Sequence, residues 1–74
     1  MKMTAYLEKF IIKQIEHYVP DGIDTTTHVH SRAVMYEIIV TLIKEKKVPA
    51  KLVIIKYLCM NYKEMIYSKL STLN

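Results

Sequence analysis

Cysteine, glycine, proline and arginine are all scarce in this 74-residue chain. The one cysteine, Cys59, excludes an internal disulfide, and its place between Leu58 and Met60 is typical of a small buried hydrophobic residue in a reducing compartment. With one glycine and two prolines there is no flexible linker, and a chain of this length closes over one hydrophobic core. We therefore expect a single domain over residues 1–74 in the cytoplasm.

Long uninterrupted apolar runs are also missing. Lys9 and Lys13 interrupt the beginning of the chain, where a secretory signal would need an apolar segment. Glu37 and Lys56 break the later apolar runs well below the roughly 20 residues that a membrane span requires. The sequence therefore predicts neither a secretory signal nor a membrane span.

The charge is unevenly distributed along the chain. Residues 1–43 contain four basic and five acidic residues, whereas the remainder, from Lys44 onward, contains seven lysines and two glutamates. The second part is therefore strongly positive, which favours contact with an anionic partner such as nucleic acid, an acidic protein or a membrane surface. A lysine surface that only keeps the protein soluble is the alternative.

The N-terminal half predicts two helices joined by a loop. Apolar residues recur every three or four positions over residues 4–19, with charged residues opposite, which indicates an amphipathic helix. Residues 20–22 end it, and the threonines and histidines of residues 23–30 favour a loop. Ser31 is the expected N-cap of a second helix that runs to about Lys46. That helix is apolar on most sides, so it must be a central helix or a subunit interface.

The C-terminal part allows two interpretations. Pro49 suits the first position of a third helix, which either continues to about Thr72 or ends near Met60. In the second case Asn61 would cap a fourth helix, with Glu64 three residues later as in a capping box. Both interpretations give an all-α bundle of three or four helices.

The residues around the expected break resemble the helix-turn-helix, a DNA-binding unit. Leu58, Cys59, Met60 and Asn61 would supply its hydrophobic, small, apolar and capping positions in turn. The resemblance implies that the following helix enters the major groove. The residues that it and the charge distribution would place against DNA are Lys46, Lys47, Lys51, Tyr62, Lys63, Tyr67 and Lys69. Arg32, the only arginine, lies outside the unit, so the common bidentate contact to guanine is missing.

Two histidines near the middle of the chain suggest a metal site only weakly. His28 and His30 are two apart, so in an extended segment both would point to the same side. No third and fourth ligand follows at a suitable spacing, so we predict no metal and no cofactor. Cys59 lies in an apolar setting that suppresses the thiolate, and we predict no enzymatic activity.

A helical protein-binding surface is the other functional hypothesis. The six tyrosines, together with Met35, Met60 and Met65, supply the aromatic and adaptable side chains that interfaces favour. The expected contacts lie on the second helix, at Met35, Tyr36, Ile39 and Ile43, and would make the chain a homodimer. The sequence thus predicts a small regulatory protein, involved in transcription, that binds DNA through its basic C-terminal part. The alternative is an adaptor or inhibitor that docks a helical face on another protein.

Overall fold

The computed structural model describes residues 3–24 and 29–73, except for the side chains of Asp24 and residues 70–73. In this part of the chain four helices and one short strand pair follow in the order α1 (Ala5–Tyr18), β1 (Ile23–Asp24), β2 (Val29–His30), α2 (Ser31–Lys44), α3 (Leu52–Met60) and α4 (Tyr62–Leu73). The predicted small all-α bundle is confirmed.

Helix α1 begins and ends as its sequence predicts. The hydroxyl oxygen of Thr4 accepts a hydrogen bond from the backbone N–H of Leu7 at 3.1 Å, which satisfies one donor of the first turn. Leu7, Ile11 and Ile15 recur every four residues and are buried on one side of the helix. The amphipathic pattern therefore fixes which side of α1 faces the core.

The connection between α1 and α2 was predicted as a loop, but a short β-strand lies at each of its two ends. β1 and β2 pair antiparallel, with Ile23 opposite His30 and Asp24 opposite Val29. The β-branched Ile23 and Val29 favour this extended backbone. Gly22 precedes the pair with φ +114°, a conformation that residues with a Cβ rarely adopt.

Helix α2 occupies the centre of the bundle and packs against the other three helices. This is the first of the two roles that its apolar circumference predicted. His30, with φ −76° and ψ 101°, is the N-cap, so Ser31 is the first helical residue and not the predicted cap. The helix ends at Lys44, two residues early, because Lys46 has φ 58° and the N–H of Lys47 turns back to the Leu42 carbonyl at 2.9 Å.

Helix α3 begins later than predicted. Its N-cap is Lys51, whose carbonyl accepts hydrogen bonds from the N–H groups of Ile54 and Ile55, both at 3.1 Å. Pro49 therefore lies in the connection and not at the first helical position. Val48, next to it, is half-buried against the core, which holds the connection on the bundle before the helix starts.

A single residue, Asn61, separates α3 from α4, so the interpretation with one continuous helix is wrong. Its dihedrals, φ −106° and ψ 31°, are not those of an extended N-cap. Its side-chain amide donates to the Tyr57 carbonyl at 2.9 Å and its backbone N–H donates to the Leu58 carbonyl at 3.1 Å. Asn61 therefore caps the end of α3, whereas the sequence predicted a cap for α4.

The core lies between the α1–α2 pair and the C-terminal helices, of which α3 packs mainly on α1 and α4 mainly on α2. Each helix contributes side chains that are at most 9% exposed. The buried apolar residues are Leu7, Ile11, Ile15, Val19, Met35, Ile38, Ile39, Ile43, Ile55, Leu58, Cys59 and Ile66. One continuous cluster therefore supports the whole described chain.

Arg32 has a structural role that the sequence did not reveal. Its Nε donates to the Val19 carbonyl at 3.0 Å and its Nη2 donates to the Glu16 carbonyl at 3.1 Å. Its Nη1 lies 3.7 Å from the Asp21 carboxylate. These two carbonyls are at the end of α1, where no following helical N–H group is available to donate to them. The guanidinium therefore joins the end of α1 to the first turn of α2.

Replacing Arg32 with lysine is expected to lower the free energy of unfolding by about 1 to 2 kcal/mol, because an ammonium group cannot reproduce the fork that reaches two carbonyls. Thermal denaturation should show a midpoint lower by roughly 4 to 8 °C per kcal/mol for a domain of this size. Asp21→Asn is the control, and it should change little because the Asp21 side chain is 76% exposed. A lysine variant as stable as the parent would show that charge alone matters at this position.

Candidate binding surfaces

The connection between α2 and α3 brings together three of the residues predicted to bind DNA. Lys46, Lys47 and Lys51 are all exposed there, next to Lys44 at the end of α2. The Lys47 ammonium lies 3.6 Å from the Glu45 carboxylate, and both side chains are more than half exposed, so this pair neutralises little. The connection is therefore a local concentration of positive charge.

The other predicted DNA-binding residues lie on α4. Lys63, Tyr67 and Lys69 are exposed, whereas Tyr62 is half-buried and packs against the core. Along the chain, the nine residues of α3 lie between the two groups. The junction at Asn61 is one residue long, whereas a helix-turn-helix typically has a turn of three or four residues.

The outward side of α3 carries an exposed apolar patch, which groups Tyr57 and Met60, two of the side chains predicted to favour an interface, with Val53. Val53 is 69% exposed, Tyr57 63% and Met60 57%. Their spacing of four and three residues places them on one side of the helix, and the exposed Lys56 lies beside them. We call these four residues the α3 face. Because the opposite side of α3 is apolar as well, the sequence did not show which of its apolar residues reach solvent.

The residues predicted as a subunit interface on α2 are mostly inside the chain. Met35 and Ile39 are fully buried and Ile43 is 2% exposed, so all three belong to the core. Tyr36 is half-buried and remains accessible in part. A partner that meets the folded chain would therefore contact Tyr36 and not the other three.

Tyr36 borders a groove between α1 and α2, which we call the α1–α2 groove. Its volume is about 510 Å³, and its lining residues are Glu8, Ile12, Ile15, Glu16, Arg32, Ala33 and Tyr36. Ile12 and Ala33 are exposed, so the groove opens to solvent on an apolar surface. This volume falls within the range of roughly 300–1,000 Å³ that ligand pockets occupy.

The charged groups of the α1–α2 groove are mainly carboxylates. The Tyr36 hydroxyl donates to the Glu8 carboxylate at 3.1 Å, and Glu16 is exposed one turn beyond Ile12. Partial burial, followed by this hydrogen bond and the charge of Glu8, raises the pKa of Tyr36, so it stays a hydrogen-bond donor. The groove is therefore lined by the carboxylates of Glu8 and Glu16 and by the guanidinium of Arg32, which is also hydrogen-bonded to two carbonyls.

Two of the histidines and Cys59 can be placed in the structure. His30 is exposed, and the ring of His17 meets that of Tyr18 edge to face, with centroids 4.6 Å apart. His28 lies outside the described residues. Within residues 3–24 and 29–73, no group of three histidine, cysteine or acidic side chains is arranged to hold a metal ion. Cys59 is fully buried, as predicted, and desolvation raises its pKa to about 11.

Comparisons with protein-family models, curated proteins and solved structures find no match to this chain. The features of the described chain that could bind a partner are therefore its exposed surfaces, the α3 face, the α1–α2 groove and the lysines of the connection. Among the described helices, none combines the length and the apolar character needed to cross a membrane.

Proposed function

We propose that this chain is a non-enzymatic adaptor or inhibitor that binds another protein through the α3 face. The observation that supports this proposal is the run of large apolar side chains at Val53, Tyr57 and Met60, each more than half exposed. A contiguous exposed apolar patch with a polar border is typical of an interaction site. Lys56 beside the patch selects a partner whose contact surface is apolar with an acidic rim.

The composition of the α3 face favours protein over DNA. Tyrosine and methionine are enriched at the centres of protein interfaces, whereas contacts to the DNA backbone are mostly charged and polar. Arg32, the only arginine, is engaged in holding α1 to α2 and lies on another helix. The α3 face therefore provides an apolar contact surface, and it contains no side chain that can form two hydrogen bonds to one base.

DNA binding in transcription regulation is the second candidate, and one observation favours it. Lys46, Lys47 and Lys51 lie exposed together in the connection, where they could contact neighbouring phosphates. Such contacts release bound cations, so affinity for DNA would fall steeply with added salt. This candidate requires the connection lysines and not the apolar residues of the α3 face.

Capture from cell lysate with immobilised protein separates the two candidates. We expect Tyr57→Ala with Met60→Ala to lower the yield of captured protein at least tenfold, because truncating a few central residues removes most interface energy. Tyr6→Ala is the matched control, since Tyr6 is 69% exposed but lies on α1. Nuclease treatment should leave capture unchanged. Capture that disappears with nuclease or with Lys46→Ala and Lys47→Ala, but survives the α3 changes, would establish the DNA candidate instead.

A further inference from the structure

The α3 face and the α1–α2 groove lie on opposite sides of the bundle. Helices α3 and α4 pack on the side of the α1–α2 pair that contains Ile11 and Met35, both fully buried. Ile12 and Ala33 are exposed, so the groove opens on the side that these helices leave uncovered. Val53 and Tyr57 are exposed on the far side of α3, so the two surfaces point away from each other.

The two surfaces are complementary in chemistry and in length. The groove has an apolar floor at Ile12, and its charged lining is two carboxylates, Glu8 and Glu16, against the one guanidinium of Arg32, whereas the α3 face has apolar side chains with Lys56 beside them. Glu8 and Glu16 are eight residues apart on one helix, a rise of about 12 Å. Val53 and Met60, the ends of the apolar run on the α3 face, are seven residues apart, a rise of about 10 Å.

We infer that a second copy of this chain occupies the α1–α2 groove, with the α3 face of one copy seated in the groove of the next. The inference rests on the proposed function, since it names the partner of the same α3 face. Burial of Tyr57 and Met60 against Ile12 and Ala33 supplies the apolar contact. Lys56 approaches the carboxylates of the rim, which fixes the orientation of the two copies.

Because the two contact surfaces differ and point in opposite directions, this contact is head-to-tail. Each copy in a pair retains one unused groove or one unused α3 face, so further copies add at both ends. The predicted assembly is therefore an open chain whose length grows with protein concentration. A symmetric dimer would instead stop at two copies.

Two blocking variants test this arrangement. Ala33→Arg fills the groove with a large cationic side chain, and Tyr57→Glu places a carboxylate in the α3 face. Both positions are exposed, so folding is preserved, and circular dichroism checks this.

Sedimentation measures the association. The parent should show increasing sedimentation coefficients from about 10 µM to about 1 mM, as a weak contact requires. Each variant alone should remain at 8.7 kDa. An equimolar mixture should form a dimer and nothing larger, because one intact groove and one intact face remain. Tyr6→Glu is the control and should assemble as the parent does.

Several results would overturn the inference. A parent that stays monomeric over the whole range would do so, as would an Ala33→Arg variant that still associates through its α3 face. If the mixture remained monomeric, the two surfaces would not be partners. In each of these cases, Tyr57-dependent capture of another protein from lysate would leave the proposed function intact. If the chain neither self-associated nor captured a protein in a Tyr57-dependent way, both the inference and the proposed function would be rejected.

Discussion

Replacing Ile39 with alanine is expected to lower the free energy of unfolding by about 2 to 5 kcal/mol, the range for truncating a buried isoleucine. Ile39 is fully buried on α2, the helix that packs against all three others. Removing its side chain leaves a cavity at the point where the helices meet. A domain of this size is typically stable by roughly 0.05 to 0.15 kcal/mol per residue, so much of its stability would be lost.

Urea denaturation followed by circular dichroism measures this loss directly. Val53→Ala is the matched control, because Val53 is also β-branched and helical but is 69% exposed. It should change the free energy of unfolding by less than about 0.5 kcal/mol. If the two variants were equally stable, Ile39 would not lie in the core and α2 would not be the central helix.

The parts of the fold that the sequence predicts are those where periodicity and burial agree. In α1 the apolar and charged residues segregate cleanly, so both its limits and its buried side follow from the pattern. In α2 the apolar residues surround the helix, which predicts burial on several sides without showing what covers each side. Met35 and Ile39 could therefore be assigned to a subunit interface or to the core with equal reason, and only the packing of α3 and α4 separates the two.

The sequence does not predict where α3 begins or which helix Asn61 caps. In both cases two local conformations have similar energies. Pro49 is well suited to begin a helix, but the half-buried Val48 and Ala50 hold the connection against the core. Asn61 has both a donor and acceptors, so it can cap either the helix before it or the one after it. The structure uses its donor toward the Tyr57 carbonyl. Local preference alone does not decide these cases.

The candidate surfaces, too, are predicted only in part from local sequence. The lysines of the connection were predictable from charge distribution, because a run that includes Lys46 and Lys47 has little opportunity for burial. The α3 face was not, because Val53 and Ile55 are both β-branched aliphatic residues and differ only in which side of the helix meets the core. The α1–α2 groove requires two helices to be brought side by side, which no pattern within one helix can indicate.

The stability of the protein should fall between pH 9 and pH 11 because of Cys59. Burial raises the pKa of this thiol from its ordinary value of 9.0 to about 11. In that interval the unfolded chain loses the thiol proton while the folded chain keeps it, so the folded state binds more protons. Rising pH therefore favours unfolding, and the loss approaches about 2 to 3 kcal/mol above pH 11. Below pH 9 the contribution is fully present.

Comparing the parent with Cys59→Ala isolates this effect, because every other titratable group is common to both proteins. The difference between their free energies of unfolding should be constant up to about pH 8 and should then move by about 2 to 3 kcal/mol in favour of the alanine variant by pH 11. A thiol-specific reagent should in addition modify the native parent at pH 7 only as fast as the chain opens, because Cys59 is fully buried. A constant difference across the whole interval, together with rapid modification, would mean that Cys59 is accessible and that α3 is not packed on α1 as described.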